Sequence, residues 1–159
     1  MIREEIPGTL FATSRPGYDY GRNAPVGEDI VREWIAQVKA AGVKSITCLL
    51  NNEHLKLYGS TAGGLIQAYR NAEFVVAHIP VPDYQSPPLA LDELIILERY
   101  FYELPQPILV HCSAGVDRTG AAVRHIKGLL DHTPQSHPCF KSKRNSTLLQ
   151  SNFPSDHPG

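Results

Sequence analysis

Apolar residues along this chain follow two alternating patterns. Short unbroken runs at 9–13, 43–50, 74–81 and 108–110 have the length and composition of buried strands. Between them, apolar residues recur every three or four positions. From Glu28 onward, Ile30, Val31, Trp34, Ile35, Val38 and Ala41 form one helical stripe, opened by the acidic Glu28 and Asp29 and stopped by Gly42. Leu91, Leu94, Ile95, Leu97, Tyr100 and Phe101 form another across Leu89–Leu104, before Pro105 and Pro107. Thr61–Asn71 predicts a shorter helix weakened by Gly63 and Gly64, Asn51–Gly59 a polar loop with a helical turn, and Ala121–Leu130 a last helix.

Strands separated by helices predict an α/β fold: a central, mostly parallel sheet of four to five strands flanked by helices and joined by right-handed crossovers. Ligands bind such sheets at the carboxyl ends of strands. Two loops leave those ends, one at 111–120 and, from a neighbouring strand, one in Pro80-Val81-Pro82-Asp83-Tyr84, and they are expected to meet across one crevice. Residues 1–132 form one predicted domain. Beyond it, 133–159 carry Pro134, Pro138, Pro154 and Pro158, a basic knot at Lys141, Lys143 and Arg144, and no apolar period, which predicts an irregular or disordered tail.

Composition narrows the function. A net charge of -1 over 159 residues gives no electrostatic footprint for nucleic acid, so no nucleic-acid partner is expected. No run reaches membrane-spanning length and the first residues lack a signal-peptide core, so the expectation is a cytoplasmic chain with no membrane partner. The three cysteines, Cys48, Cys112 and Cys139, stand at unrelated spacings that fit neither a disulfide framework nor a zinc cluster.

The remaining signal is His111-Cys112-Ser113-Ala114-Gly115-Val116-Asp117-Arg118-Thr119-Gly120, lying between a predicted strand and a predicted helix. Unpartnered N–H groups and the dipole at a helix N-terminus favour an anion there. Gly115 permits the backbone angle a converging nest of amides needs. The helix start and Arg118 favour the thiolate of Cys112, the attacking species. Arg118 offers a planar fork to two phosphate oxygens, and the Thr119 hydroxyl is placed to donate to the sulfur. Two-step phosphoester hydrolysis also needs one carboxyl group as acid and then base; Asp83 is the candidate, with Asp92 and Asp117 as rivals. Cys48 reads as a buried strand residue, Cys139 carries no reading, and Tyr18 and Tyr20 are either rim residues or ordinary loop aromatics.

The ten residues from His111 resemble the signature of the cysteine-dependent protein tyrosine phosphatase superfamily. Ile79–Tyr84 with Pro87 and Pro88 is similar to the general-acid segment of small atypical dual-specificity phosphatases. The resemblance runs from about Leu10 to Leu130 and takes in Ser14-Arg15-Pro16. It implies a dual-specificity phosphatase-like fold, with Cys112 as nucleophile, Arg118 as phosphate binder, Asp83 as acid then base, and Thr119 assisting thiolate departure. It also implies that the backbone amides of Ser113, Ala114, Gly115, Val116, Asp117 and Arg118 hold the phosphate, that His111 braces the loop, and that no metal or cofactor is needed. The implied partner is a phosphorylated protein, with phosphotyrosine first and phosphoserine or phosphothreonine beside it. Alternatives are a phosphoinositide or RNA 5′ phosphatase of the same superfamily, or a catalytically silent phosphate-binding module. The chain departs from the pattern at Asp117, a carboxylate inside an anion loop, and beyond the signature helix, where nothing resembles the helices that follow in other members.

Overall fold

The computed structural model describes residues 1–20 and 22–132, so the expected tail lies outside the described residues. The chain divides into two units, Met1–Gly128 and Leu129–Gly159. Of the second, only 129–132 are described, as the last turn of a helix.

Five strands form one sheet: β1 (Arg3–Ile6), β2 (Leu10–Thr13), β3 (Ser45–Cys48), β4 (Val75–His78) and β5 (Ile108–His111), in the order β1-β2-β5-β3-β4. All neighbours are parallel except β1, which runs antiparallel to β2. The hydrophobic pattern missed β1. Its Arg3-Glu4-Glu5 is an edge sequence, where charge is tolerated and discourages pairing with another chain. The other four strands stand where the apolar runs put them, β2, β3 and β4 shortened and β5 longer by one residue, His111.

Helices α1 (Glu28–Ala40), α2 (Asn52–Leu55), α3 (Gly64–Asn71), α4 (Leu91–Glu103) and α5 (Asp117–His132) connect and follow the strands. The expected loop at 51–59 is largely α2 and a 3-10 turn at Lys56–Tyr58, started by the Asn51 side chain, which accepts from the His54 N–H at 2.8 Å. The crossovers through α1 and α3 advance across the sheet in one direction and that through α4 returns. Right-handedness therefore puts α1 and α3 on one face and α4 on the other. The first face holds a core of Val31, Val38, Ile46, Leu50, Tyr58, Leu65, Tyr69 and Leu109, with Trp34 packed against it. On the second, α5 meets α4 through His125 and Glu98, 3.4 Å apart.

β5 is buried at every residue and lies between β2 and β3. Its carboxyl end releases the chain into the Cys112 loop. Two expectations are corrected there. The final helix starts at Asp117, not Ala121, so Asp117, Arg118 and Thr119 form its first turn, where an acidic residue suits the dipole. The Asp83 loop does not leave a neighbouring strand, because β3 separates β4 from β5. Past β4 the chain runs along the continuation of β3 instead, with Ile79 N–H donating to the Cys48 carbonyl and Val81 N–H to that of Leu49. That path carries Asp83 over the end of β3 to the loop. Among the described residues, no helix is long and apolar enough to cross a membrane.

Gly115 fixes how closely the loop can lie against β2. Its φ is +75°, and a Cβ there would stand 2.6 Å from the Thr13 carbonyl group and 2.8 Å from the Ser14 nitrogen. Gly115→Ala therefore has to move backbone, and is expected to lower stability by about 2 kcal/mol or more in chemical denaturation. Retention of full stability would show that the loop is free to shift off β2.

Candidate active site

Several segments of the chain deliver the side chains of the cleft beyond β5. Cys112 follows β5 and is 2% exposed. Arg118 sits in the first turn of α5 and points back beneath the cleft, buried, with Nη1 donating to the carbonyls of Val81 at 3.0 Å and Leu49 at 3.4 Å. Its Nη2 is 3.2 Å from Asp83 Oδ1. Two carbonyls thus anchor one side of the guanidinium, leaving its fork turned toward the acid loop.

An anion loop must face its N–H groups inward, so its carbonyls need donors elsewhere. Three of them have donors from other parts of the fold. The Cys112 carbonyl accepts from His111 Nδ1 at 3.0 Å, that of Ser113 from the Arg15 N–H at 2.9 Å, and that of Gly115 from Arg3 Nη2 at 2.9 Å. The Gly120 N–H then closes the first turn of α5 on Val116 at 2.8 Å.

His111 is wholly buried, edge-on to the rings of Trp34 and Tyr69. A carbonyl can only accept, so Nδ1 carries the hydrogen and Nε2 accepts from the Tyr69 hydroxyl at 2.9 Å. Burial above all, with Arg118 and Arg15 nearby, lowers its pKa to about 4, opposed by the bond to Cys112. The imidazole is a neutral strut under the loop. Thr119 is fully buried, and its Oγ1 has no hydrogen-bond partner among the described residues. Asp117 is exposed at the edge of the cleft, beside Ser113 and Ala114.

The cleft encloses about 210 Å³ and brings together Cys112, Ser113, Ala114, Asp117, Arg118 and Asp83. Of the rim candidates, Tyr18 lines it, as does Tyr84; Tyr20 does not. Asp92, a rival acid, lies in the first turn of α4 and is not among its lining residues. Cys48 is fully buried and burial pushes its thiol up to about 12, as suits a packing residue.

Sequence reasoning missed His54 and did not give Arg15 a role. His54 is buried in the cleft wall with Nε2 3.8 Å from Asp83 Oδ2, and burial, then Arg118, lowers its pKa. It was hidden in a polar stretch taken for loop, with no spacing that ties it to Asp83. Arg15 was visible within Ser14-Arg15-Pro16, but a single arginine in a loop carries no signal of burial.

Residues 20–128 match the family model described as "Polymorphic toxin system, DSP-PTPase phosphatase", Tc-R-P. The chain belongs to that family. This DSP-PTPase phosphatase chain is therefore a member of the cysteine-dependent tyrosine phosphatase superfamily. Comparison with curated proteins gives no sequence match. Among solved structures, Tk-PTP in its active form is similar at 20% identity and a TM-score of 0.52, over 76% of this chain and 67% of that one. PTP-2 phosphatase from Cydia pomonella is 18% identical, TM-score 0.49, over 76% of this chain and 65% of that one. The core catalytic domain of the PP-IP phosphatase SIW14 from S. cerevisiae is 17% identical, TM-score 0.49, over 83% of this chain and 68% of that one. The chain thus spans about two thirds of the length of these structures.

The neutral strut has a consequence for acid stability. With the His111 pKa near 4 in the folded chain and near 6.5 in the unfolded one, the unfolded state takes up a proton first as pH falls. Stability is intact above pH 6.5 and declines toward pH 4, by about 3 kcal/mol from this group. Denaturation at stepped pH measures the slope, and His111→Asn should flatten it. An equal slope in the variant would remove His111 as its source.

Proposed function

We propose that this DSP-PTPase phosphatase hydrolyses phosphotyrosine, and with it phosphoserine or phosphothreonine, on proteins through a phosphocysteine intermediate. The observation that carries this reading is the Asp83–Arg118 pair at 3.2 Å, which sets a carboxyl group in the cleft that holds Cys112.

In the first step the Cys112 thiolate attacks phosphorus. The S–P bond forms as the ester P–O bond breaks, and Asp83 gives its proton to the leaving oxygen. Arg118, anchored from behind by Leu49 and Val81, turns its free donors to the equatorial oxygens. The amides of 113–118 receive the rest of the charge. In the second step Asp83 takes a proton from water, whose oxygen forms the new P–O bond as S–P breaks. The thiolate leaves beside the Thr119 hydroxyl, which is buried and has no other partner among the described residues to compete for it.

The rim supports a substrate with a single phosphate. Arg22 is 3.8 Å from Asp19, and Arg118 already faces Asp83, while Asp19 and Asp117 line the same cleft. Further phosphates on an inositol ring or a nucleotide 5′ end would stand against those carboxylates. Tyr18 and Tyr84 line the cleft and supply aromatic surface beside it for an aryl phosphate.

Cys112→Ser is expected to abolish turnover of an aryl phosphate and to keep phosphate binding; residual turnover would rule out the covalent route. Asp83→Asn should lower kcat by about 10²- to 10⁴-fold and remove the limb on which activity falls as pH rises. An unchanged limb would move the acid role to Asp117. A turnover panel of phosphotyrosine peptide, phosphothreonine peptide and phosphoinositide should rank the peptides first. Preference for the phosphoinositide would overturn the protein assignment, and binding of all with turnover of none would make the chain a silent phosphate-binding module.

A further inference from the structure

Arg15 is 1% exposed, yet among the described residues no carboxylate pairs with it. Neutral groups alone hold its guanidinium. Nε donates to Ser113 Oγ at 3.0 Å, Nη1 to the Tyr58 hydroxyl at 3.3 Å and the Pro16 carbonyl at 3.5 Å, and Nη2 to the Arg22 carbonyl at 3.4 Å. It also lies 5.7 Å from the centroid of the Tyr18 ring. Tyr58 supplies no counter-charge: its hydroxyl donates to the Pro16 carbonyl at 2.6 Å, and burial pushes the phenol up to about 12. A guanidinium taken out of water is strongly disfavoured unless a negative charge answers it.

Two bonds tie this unanswered charge to Ser113, the residue after Cys112: the Nε contact and the Arg15 N–H to the Ser113 carbonyl at 2.9 Å. We propose that the missing counter-charge is the phosphoryl group, and that Arg15 is a positioning residue giving the loop a second permanent positive charge from behind. The proposal rests on reading the Cys112 loop as the phosphoryl site. With Cys112 as thiolate, Asp83 as neutral acid, Arg118 as the buried cation of the cleft and the rim Arg22 paired with Asp19 at 3.8 Å, a bound phosphoryl dianion would leave a surplus of two negative charges, before the rim Asp117 is counted. Arg15 cuts that surplus to one. Behind burial and Arg118, Arg15 is also among the causes that lower the pKa of His54, in the cleft wall, and of His111.

Calorimetric titration of inorganic phosphate into the Cys112→Ser chain tests this without turnover. Arg15→Gln keeps an amide donor for Ser113 Oγ but no charge, and is expected to weaken phosphate binding about tenfold or more. Arg15→Lys keeps the charge and loses the fork, and is expected to stay within about threefold of the parent. Unchanged affinity in Arg15→Gln, or an equal loss in both variants, overturns the proposal. If Arg15→Gln shows no cooperative unfolding transition, Arg15→Lys decides alone: binding within about threefold upholds the charge role, and a loss beyond about tenfold overturns it. An Arg15→Lys chain that does not fold shows that the position needs the fork and not the charge, and also overturns it. Failure of the parent to bind phosphate overturns instead the phosphoryl-site reading, and this proposal with it.

Discussion

The loop between β5 and α5 lies outside any strand ladder, so its carbonyls need donors from other groups. Here the rest of the fold is arranged to receive them. β5 supplies the His111 imidazole, the chain after β2 supplies the Arg15 N–H, and edge strand β1 supplies the Arg3 guanidinium. Each comes from a different part of the sheet, so the loop's geometry is a property of the assembled fold. Gly115 is the point where this assembly leaves no room for a side chain.

The same economy governs charge. The interior behind the loop holds guanidinium groups and a histidine kept neutral, with tyrosines whose hydroxyls only exchange hydrogen bonds. Arg118 finds its carboxylate in Asp83, 3.2 Å away. On the same carboxylate, the Tyr84 N–H donates to Oδ1 at 3.1 Å and His54 Nε2 stands 3.8 Å from Oδ2.

Much of this was legible in the sequence. The apolar runs place four strands and the stripes place α1 and α4, because burial alternation is local information. Cys112, Arg118 and Thr119 could be placed together because that placement depends only on spacing within one loop and the helix turn after it. Asp83 was found for a reason that needed adjustment, since its approach depends on the chain continuing along β3 rather than on neighbouring strands. β1 escaped because an edge strand is excused from the apolar pattern. His54 and Arg15 escaped because their meaning is set by three-dimensional burial, which leaves no trace in spacing; Arg15 sits 98 residues from Ser113, the side chain it holds.

The family match begins at residue 20, after both β1 and β2. A fragment trimmed to those limits would keep every residue assigned to the chemistry and lose Arg3, Arg15 and the Thr13 backbone on which Gly115 rests. It would also strip β5 of its partner on one side, turning a strand buried at every residue into an open edge with unpaired amides, a surface that recruits other chains. The boundary of the reaction in sequence and the boundary of the foldable unit do not coincide. Any shortened version of this chain has to be cut by the second.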